Sequence, residues 1–273
     1  MITFPYAKIN IGLWITSRRP DGYHNIKTIF YPIKNFCDVL EFAVPAANNG
    51  YDNLTLSGIP VGPDTSENIV LKALLQMRRR VKIPYLDIHL HKAIPPGAGL
   101  GGGSSDAASF ITALNRHFRL GLSKEELSDI ALATGSDCPF FIDGNPAYAE
   151  GRGELLTPAG FLKEKLHILI LWPGIHVSTR EAYSNCTPKS REDSLITYFR
   201  LPPGEWKLFI TNDFEETVFG KHPLLADIKE KLYSSGAIYS AMSGSGSAVY
   251  GIFRENPVIP AGLEEIVVYS GLL

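Results

Sequence analysis

Five glycines crowd a short stretch of the chain: Gly97, Gly99, Gly101, Gly102 and Gly103, followed at once by Ser104 and Ser105. The run begins at Pro95-Pro96 and passes into Asp106, Ala107 and Ala108. Glycine tolerates positive φ and lets a ligand come close to the backbone. The first turn of a helix presents unpaired N–H groups and a partial positive charge. A glycine-rich turn that opens a helix therefore reads as an anion site, best suited to phosphate. A turn that served packing alone would need one or two glycines, and five carry an entropic cost that packing does not explain.

The flanking residues supply the elements that must hold this loop. Before it, Leu86, Ile88 and Leu90 alternate with Asp87, His89 and His91, which predicts a half-buried strand. After it, Ala107, Phe110, Ile111, Leu114 and Phe118 recur at helical spacing. A Walker A loop ends in Gly-Lys-Ser/Thr, and Gly103 is followed by Ser104, so that type is excluded. Gly97-x-Gly99-x-x-Gly102 matches the dinucleotide pattern, which also wants an acid about 20 residues on, at the end of a second strand. Glu125 and Glu126 have that spacing but open a further helix, which argues against it.

Elsewhere the candidate chemistry is sparse. Residues 7 to 15 alternate, with Ile9, Ile11, Leu13 and Ile15 on one face and Lys8, Asn10, Gly12 and Trp14 on the other. Lys8 and Asn10 thus share a face, where a lysine is ordinarily solvated. Arg18-Arg19-Pro20-Asp21-Gly22 predicts a turn that returns the chain as a hairpin through Tyr23 and His24. Thr65-Ser66-Glu67-Asn68 opens a helix whose end carries Arg78, Arg79, Arg80 and Lys82, a cluster that a helix C-terminus favours by itself. Asp87, His89 and His91 read as the wet face of a strand rather than metal ligands. Ser123 to Glu126 is a capping box for a helix that Gly135 ends. Asp137 follows, with Pro139 behind it, and reads as a turn or cap residue. A strand and turn are expected at 147–156, a strand at 166–172, helix starts at 177 and 212, a helix from Pro223 to Gly236, and a glycine-serine turn after Ser240 entering a strand to Phe253. Residues 44–65 and 185–206 show no usable pattern. The boundary between two domains, 1–155 and 156–273, is expected near residues 153 to 164, and the helix–strand mix suggests a small α+β second domain.

Composition bounds the function. The 273 residues are 45% hydrophobic and 20% charged, ordinary for a globular chain, and the net charge of −2 points to neither nucleic acid nor an anionic membrane as partner. Cys37, Cys138 and Cys186 form neither a metal spacing nor an even disulfide framework, which suggests a reducing compartment, and a cytoplasmic location is expected. No run of 18 apolar residues predicts a membrane span, and the start, Met-Ile-Thr-Phe-Pro, reads directly into a strand without a leader pattern.

Three distant stretches together resemble one family. The Pro95 to Ser105 loop, Pro-x-Gly-x-Gly-Leu-Gly-x-x-Ser-Ser, resembles the phosphate loop of the galactokinase–homoserine kinase–mevalonate kinase–phosphomevalonate kinase superfamily. Ala7-Lys8-Ile9-Asn10 with Arg19-Pro20-Asp21-Gly22-Tyr23-His24 resembles its N-terminal substrate motif, and Met-Ser-Gly-Ser-Gly-Ser-Ala near the end its C-terminal glycine motif. Joined with Gly-Ser-Asp-Cys-Pro-Phe-Phe at 135–141, the set closely resembles the 4-diphosphocytidyl-2-C-methyl-D-erythritol kinase family, with matching blocks from Pro5 to about Phe253.

The resemblance implies an α+β fold of two domains, the N-terminal one like ribosomal protein S5 domain 2 and the C-terminal one ferredoxin-like, with a cleft between them. It implies ATP with Mg²⁺ and phosphorylation of the 2-hydroxyl of 4-diphosphocytidyl-2-C-methyl-D-erythritol, in the non-mevalonate route to isopentenyl diphosphate. Asp137 would be the base and Lys8 its partner. Pro95, Pro96, Gly97, Ala98, Gly99, Leu100, Gly101, Gly102, Gly103, Ser104 and Ser105 would hold the phosphates, and Asn68 would face the adenine. His24 would bond the cytosine edge, Tyr23 and Tyr183 would stack on its ring, and Asn10 and Thr179 would contact the erythritol or diphosphate. No protein ligand for Mg²⁺ is evident; Asp106 is equally well explained by the helix N-terminus it occupies. The partner is a small molecule, with no nucleic acid and no membrane, and the oligomeric state is open between monomer and homodimer. Another alcohol kinase of the superfamily, or a nucleotide-binding regulator without catalysis, is the alternative; Asp21-Gly22-Tyr23-His24 argues against the first, and Lys8 with Asp137 against the second.

Overall fold

The structure is a computed structural model and describes residues 1–47, 50–61, 67–184, 186–191 and 193–273. Thr65 and Ser66 of the expected helix start, and Asn185, lie outside the described residues. In chain order the strands are β1 (Ile2–Thr3), β2 (Tyr6–Arg18), β3 (His24–Cys37), β4 (Val39–Ala43), β5 (Asn53–Gly58), β6 (Asp87–Lys92), β7 (Ala147–Glu150), β8 (Leu155–Pro158), β9 (His167–Leu171), β10 (Tyr239–Met242), β11 (Val249–Phe253) and β12 (Val267–Leu272). The helices are α1 (Ile69–Arg78), α2 (Gly102–His117), α3 (Lys124–Thr134), α4 (Cys138–Asp143), α5 (Thr179–Ser184), α6 (Leu195–Phe199), α7 (Phe214–Lys221) and α8 (Pro223–Ser234). Among the described residues no helix is long and apolar enough to cross a membrane.

The chain packs as two compact units that interleave in sequence. The first takes Met1–Ala7, Phe36–Pro96 and Gly101–Gly144; the second takes Lys8–Asn35, Gly97–Leu100 and Asn145–Leu273. The expected division at 155/156 follows the motifs, whereas packing draws the long hairpin β2–β3 to the side of β7 and β8, with which it shares a sheet in the order β2-β3-β7-β8.

The first unit is built on a sheet in the order β1-β4-β6-β5 with α1 to α4. β5 runs parallel to β6, Leu54 opposite Ile88 and Leu56 opposite Leu90. α3 carries the predicted capping box: Ser123 accepts from the Glu126 amide and Glu126 accepts from the Ser123 amide. Asn68 caps α1, its Oδ1 accepting from Val70 N at 2.9 Å. The first of the basic residues closing α1, Arg78, forks onto the Asp52 carboxylate and donates to the carbonyls of Ile83 and Pro84, so it is a structural clamp. His89 and His91 share the hydroxyl of Ser57 at 2.9 Å each.

The second unit adds a sheet in the order β10-β11-β9-β12. Its core joins Leu13, Ile15 and Ile26 of the long hairpin to Leu169 and Leu171 of β9, Phe214 of α7, and Leu225, Ile228 and Leu232 of α8. α8 buries Leu225, Ile228 and Leu232 on one face at the spacing the sequence predicts.

Two sequence expectations are corrected here, and one strand is added. β2 is not half-exposed: every residue from Ala7 to Ile15 is buried, the Lys8 face included. Residues 44–65 contain β5, and the last twenty residues contain β12, which pairs antiparallel with β9. Both are edge strands with much exposed surface, so their apolar alternation is short and muted.

Candidate active site

Within the second unit, Lys8 is 3% exposed. A buried ammonium must be satisfied by acceptors or it becomes costly. Lys8 Nζ donates to Asn10 Oδ1 at 2.5 Å and to the carbonyl of Gly99 at 2.9 Å, and lies 5.2 Å from the centre of the Phe30 ring. Asn10, also buried, donates through Nδ2 to Thr28 Oγ1 at 2.9 Å, which passes the bond on to Gly12 O at 2.6 Å. Asn10 Oδ1 thus turns toward Lys8 because its amide nitrogen is held by Thr28.

The same carbonyl of Gly99 accepts from Ser243 Oγ at 2.8 Å. Ala248 N donates to Ala98 O at 3.1 Å, and Lys8 N to Leu100 O at 2.9 Å. The centre of the glycine-rich loop is therefore tied to β2 on one side and to the turn 243–248 on the other. Gly99 has φ +80°, and a Cβ there would lie 1.9 Å from the Ser243 carbonyl oxygen, so no other residue fits. Gly97 is exposed, while Ala98 and Leu100 are buried.

In the first unit, Pro95 is buried and Pro96 half-buried. Gly101, φ +72°, stands at the N-cap of α2 without a side chain, which leaves the first amides of that helix uncapped by side chains. Gly102 and Gly103 begin the helix, and a Cβ on Gly103 would meet only Ile69, at 3.5 Å. Ser104 is half-buried and hydrogen-bonded to Cys138, whose thiol burial pushes up to about 12. Ser105 Oγ is buried with no hydrogen-bond partner among the described residues. Asp137 is half-buried at the N-cap of α4, next to Cys138, and makes no side-chain capping bond there. Lys72 of α1 also acts on the Cys138 thiol, so a cation the sequence reading passed over belongs to this neighbourhood. The Asn68 carbonyl is taken up in capping α1.

Asp106 is explained by its surroundings. It is 1% exposed, and Oδ2 accepts from Lys92 Nζ at 2.7 Å; Lys92 also pairs with the buried Asp38, which accepts from the amides of Ala93 and Ile94. Burial pushes the Asp106 carboxyl well above the usual carboxylate range, with Lys92 pulling it back and Asp38 pushing it further. The folded chain therefore holds a proton that the unfolded chain releases above about pH 4. Stability contributed by that proton is full below this pH and is lost as pH rises toward the folded value. Asp106→Asn cannot titrate, so its thermal midpoint is expected to gain on the native chain as pH rises above about 4, the unfolded carboxyl's range. A difference that shrinks with pH in paired melts would mean that Asp106 is ionised when folded.

The aromatic residues gather in the second unit. His24 stacks on Tyr183, ring centres 5.1 Å apart and planes 20° from parallel, and Tyr183 meets the edge of Phe214 at 4.8 Å. Burial holds the His24 pKa below its ordinary value, and Arg18 acts in the same direction. Tyr23 is exposed and carries the Arg152 guanidinium 5.2 Å above its ring. The ring on Tyr183 is thus His24, not Tyr23. Thr179 Oγ1 shares a hydrogen bond with Ser245 Oγ at 3.0 Å, which brings α5 to the same glycine-serine turn that touches Gly99. Ser243 lies in the glycine-serine motif that the sequence marks, whereas Asn212, which bonds that turn, has no local pattern to mark it as a site residue, because its partners lie far along the chain.

Residues 68–145 match the model of the GHMP kinases N terminal domain, and residues 203–262 that of the GHMP kinases C terminal domain. The 4-diphosphocytidyl-2-C-methyl-D-erythritol kinase of Parabacteroides distasonis is 48% identical over 93% of this chain and 92% of its own. That of Bacteroides thetaiotaomicron is 45% identical over 95% of this chain and 94% of its own. A crystal structure of 4-(cytidine 5'-diphospho)-2C-methyl-D-erythritol kinase superposes with a TM-score of 0.73 at 31% identity, covering 92% of this chain and 89% of that one. This chain, with its α+β two-domain GHMP fold, belongs to the 4-diphosphocytidyl-2-C-methyl-D-erythritol kinase family.

Proposed function

We infer that this chain is an ATP-dependent kinase that transfers the γ-phosphoryl group to the 2-hydroxyl of 4-diphosphocytidyl-2-C-methyl-D-erythritol, giving the 2-phosphate and ADP, in the non-mevalonate route to isoprenoids. The observation that carries this is near-full-length identity of up to 48% to kinases of that name. It favours this acceptor over other small alcohols, and a catalyst over a nucleotide-binding regulator. Residues 1–155 would contribute the phosphate loop and the base, and 156–273 the glycine-serine turn.

Phosphoryl transfer asks mainly for positioning and charge stabilisation. The amides of the loop from Pro95 to Ser105 would cradle the triphosphate at the α2 N-terminus. Asp137 would take the proton of the attacking hydroxyl. Lys8 would favour the ionised form of Asp137 and offset the charge developing on the alkoxide and the phosphoryl group. Its ammonium is supported for this role by a fixed setting between Asn10 and Gly99. Asn10 and Thr179 would contact the erythritol or diphosphate, and Asn68 the adenine side. Among the described residues no three His, Cys, Asp or Glu side chains are grouped to hold a metal. Mg²⁺ would arrive on the phosphates of ATP, as it commonly does.

Cytosine would be read by His24 at its polar edge and stacked by Tyr23 and Tyr183. Stacking tolerates every base, so discrimination falls to His24. A base on Tyr183 requires His24 to leave the face it now covers. His24→Ala is expected to raise KM for the cytidine substrate about tenfold or more, with KM for ATP within about twofold, the pattern of lost substrate binding. Equal changes in both Michaelis constants would refute the assignment.

A further inference from the structure

The sequence Asn212-Asp213-Phe214-Glu215 reads only as the start of a short helix. In the second unit it is a junction, its side chains reaching the glycine-serine turn, β2 and the Tyr183 ring. Asn212 Nδ2 donates to two carbonyls of the glycine-serine turn, Met242 O and Gly244 O, both at 2.8 Å, while its Oδ1 accepts from Phe214 N at 3.0 Å. Asp213 accepts from Ile15 N on β2 at 2.8 Å and pairs with Arg191. Phe214 meets the Tyr183 ring. Glu215 accepts from Met242 N at 2.8 Å and pairs with Lys229. The backbone adds two further bonds to β2: Leu13 N donates to Thr211 O and Asp213 N to Leu13 O.

The turn that Asn212 and Glu215 hold is the one that reaches the glycine-rich loop. Ser243 lies between the two carbonyls Asn212 bonds, its Oγ donates to Gly99 O, and it accepts from Asn10 N at 3.2 Å. Gly99 O also receives Lys8 Nζ. Two donors on one carbonyl fix that peptide plane, and in a trans peptide the following N–H, that of Leu100, must then point to the opposite side. Moving Ser243 would release one donor, reorient the plane and change what Lys8 holds.

We propose that Asn212 is a positioning residue for phosphoryl transfer: by fixing the turn from Met242 to Gly244 it sets, through Ser243, the plane of the Gly99 carbonyl and the seat of the Lys8 ammonium. This rests on the reading of the glycine-rich loop as the triphosphate grip. Asn212 itself is buried and touches neither ATP nor acceptor in this account. Glu215 supports the same turn from its amide side.

The test compares Asn212→Ala and Asn212→Asp with Gly103→Ala, each as the full chain with a measured thermal midpoint. Asn212→Asp keeps the shape and the acceptor but loses the amide donors. Gly103→Ala places a methyl in ordinary contact with Ile69, so it folds, but blocks close approach of a phosphate to the helix. Expected is a rise of about tenfold in KM for ATP and a fall in kcat for both Asn212 variants, with KM for the cytidine substrate within about twofold. A merely structural Asn212 would lower the midpoint and leave that split absent, which overturns the proposal, as do unchanged constants. If Asn212→Ala does not fold, Asn212→Asp alone decides by the same split. If Gly103→Ala leaves KM for ATP unchanged, the reading of the loop has failed and the proposal with it; if Gly103→Ala raises KM and the Asn212 variants do not, only the proposal has failed.

Discussion

Asp137→Asn is expected to lower kcat by roughly 10²–10⁴-fold, the usual contribution of a general base, with both Michaelis constants within a few-fold of the native chain. The substitution leaves the start of α4 intact. Asp137 occupies the N-cap of α4 but makes no side-chain capping bond to it, so an amide of the same shape removes no helix cap. Pro139 sits in the first turn of α4 and starts that helix independently of the residue before it. What Asn lacks is the capacity to accept a proton. A single-turnover measurement places the loss in the chemical step rather than in product release. Turnover within a few-fold of the native chain would remove Asp137 from the reaction and leave Lys8 without the partner assigned to it.

The second large effect is at Gly99. Alanine there would hold a left-handed conformation at φ +80° and put its methyl 1.9 Å from the carbonyl oxygen of Ser243. That oxygen cannot yield easily, because it accepts from Gly246 N at 2.9 Å within the turn. Left-handed strain and overpacking together cost about 2–5 kcal/mol. Gly99→Ala is therefore expected to lower the thermal midpoint clearly and to depress kcat/KM for ATP more than stability alone explains, since relieving the clash with Ser243 shifts Gly99, whose own carbonyl seats Lys8. Equilibrium denaturation beside kinetics at a temperature where the variant is folded separates the two. Native stability and native kinetics together would mean that the close approach between this loop and the 243–248 turn is not a feature of the working protein.

Much of this architecture was legible because its signals are local. The strand–glycine turn–helix unit, the capping box at Ser123, the hairpin at Arg19 to Gly22 and the periodic face of α8 each depend on residues within one or two turns of each other. Lys8 was misread for the opposite reason. Alternation along β2 predicted a wet face, but both faces are covered, and the polar residues there satisfy one another: Lys8 with Asn10, Asn10 with Thr28. Periodicity measures contrast between faces, and a strand whose second face is buried by polar partners from elsewhere has none to offer. Asp106 posed the same difficulty. Its neighbours Asp38 and Lys92 come from other parts of the chain, so sequence left a metal ligand and a helix-terminal charge equally open where the structure has the Lys92 ammonium shared between two buried carboxyl groups. Family resemblance supplied Lys8, Asp137 and the motif that contains Ser243, yet it passed over Asn212, whose part is visible only through bonds to residues 30 and 32 positions away.

The account's central claim is the identity of the acceptor. Its most direct measurement is ATP consumption by the purified chain with 4-diphosphocytidyl-2-C-methyl-D-erythritol, run beside mevalonate and homoserine at equal concentration, with phosphorus NMR of the product. Turnover is expected with the cytidine compound alone, with a new phosphate on its 2-hydroxyl. Turnover of mevalonate or homoserine in its place, or ATP bound without consumption in every arm, would contradict it.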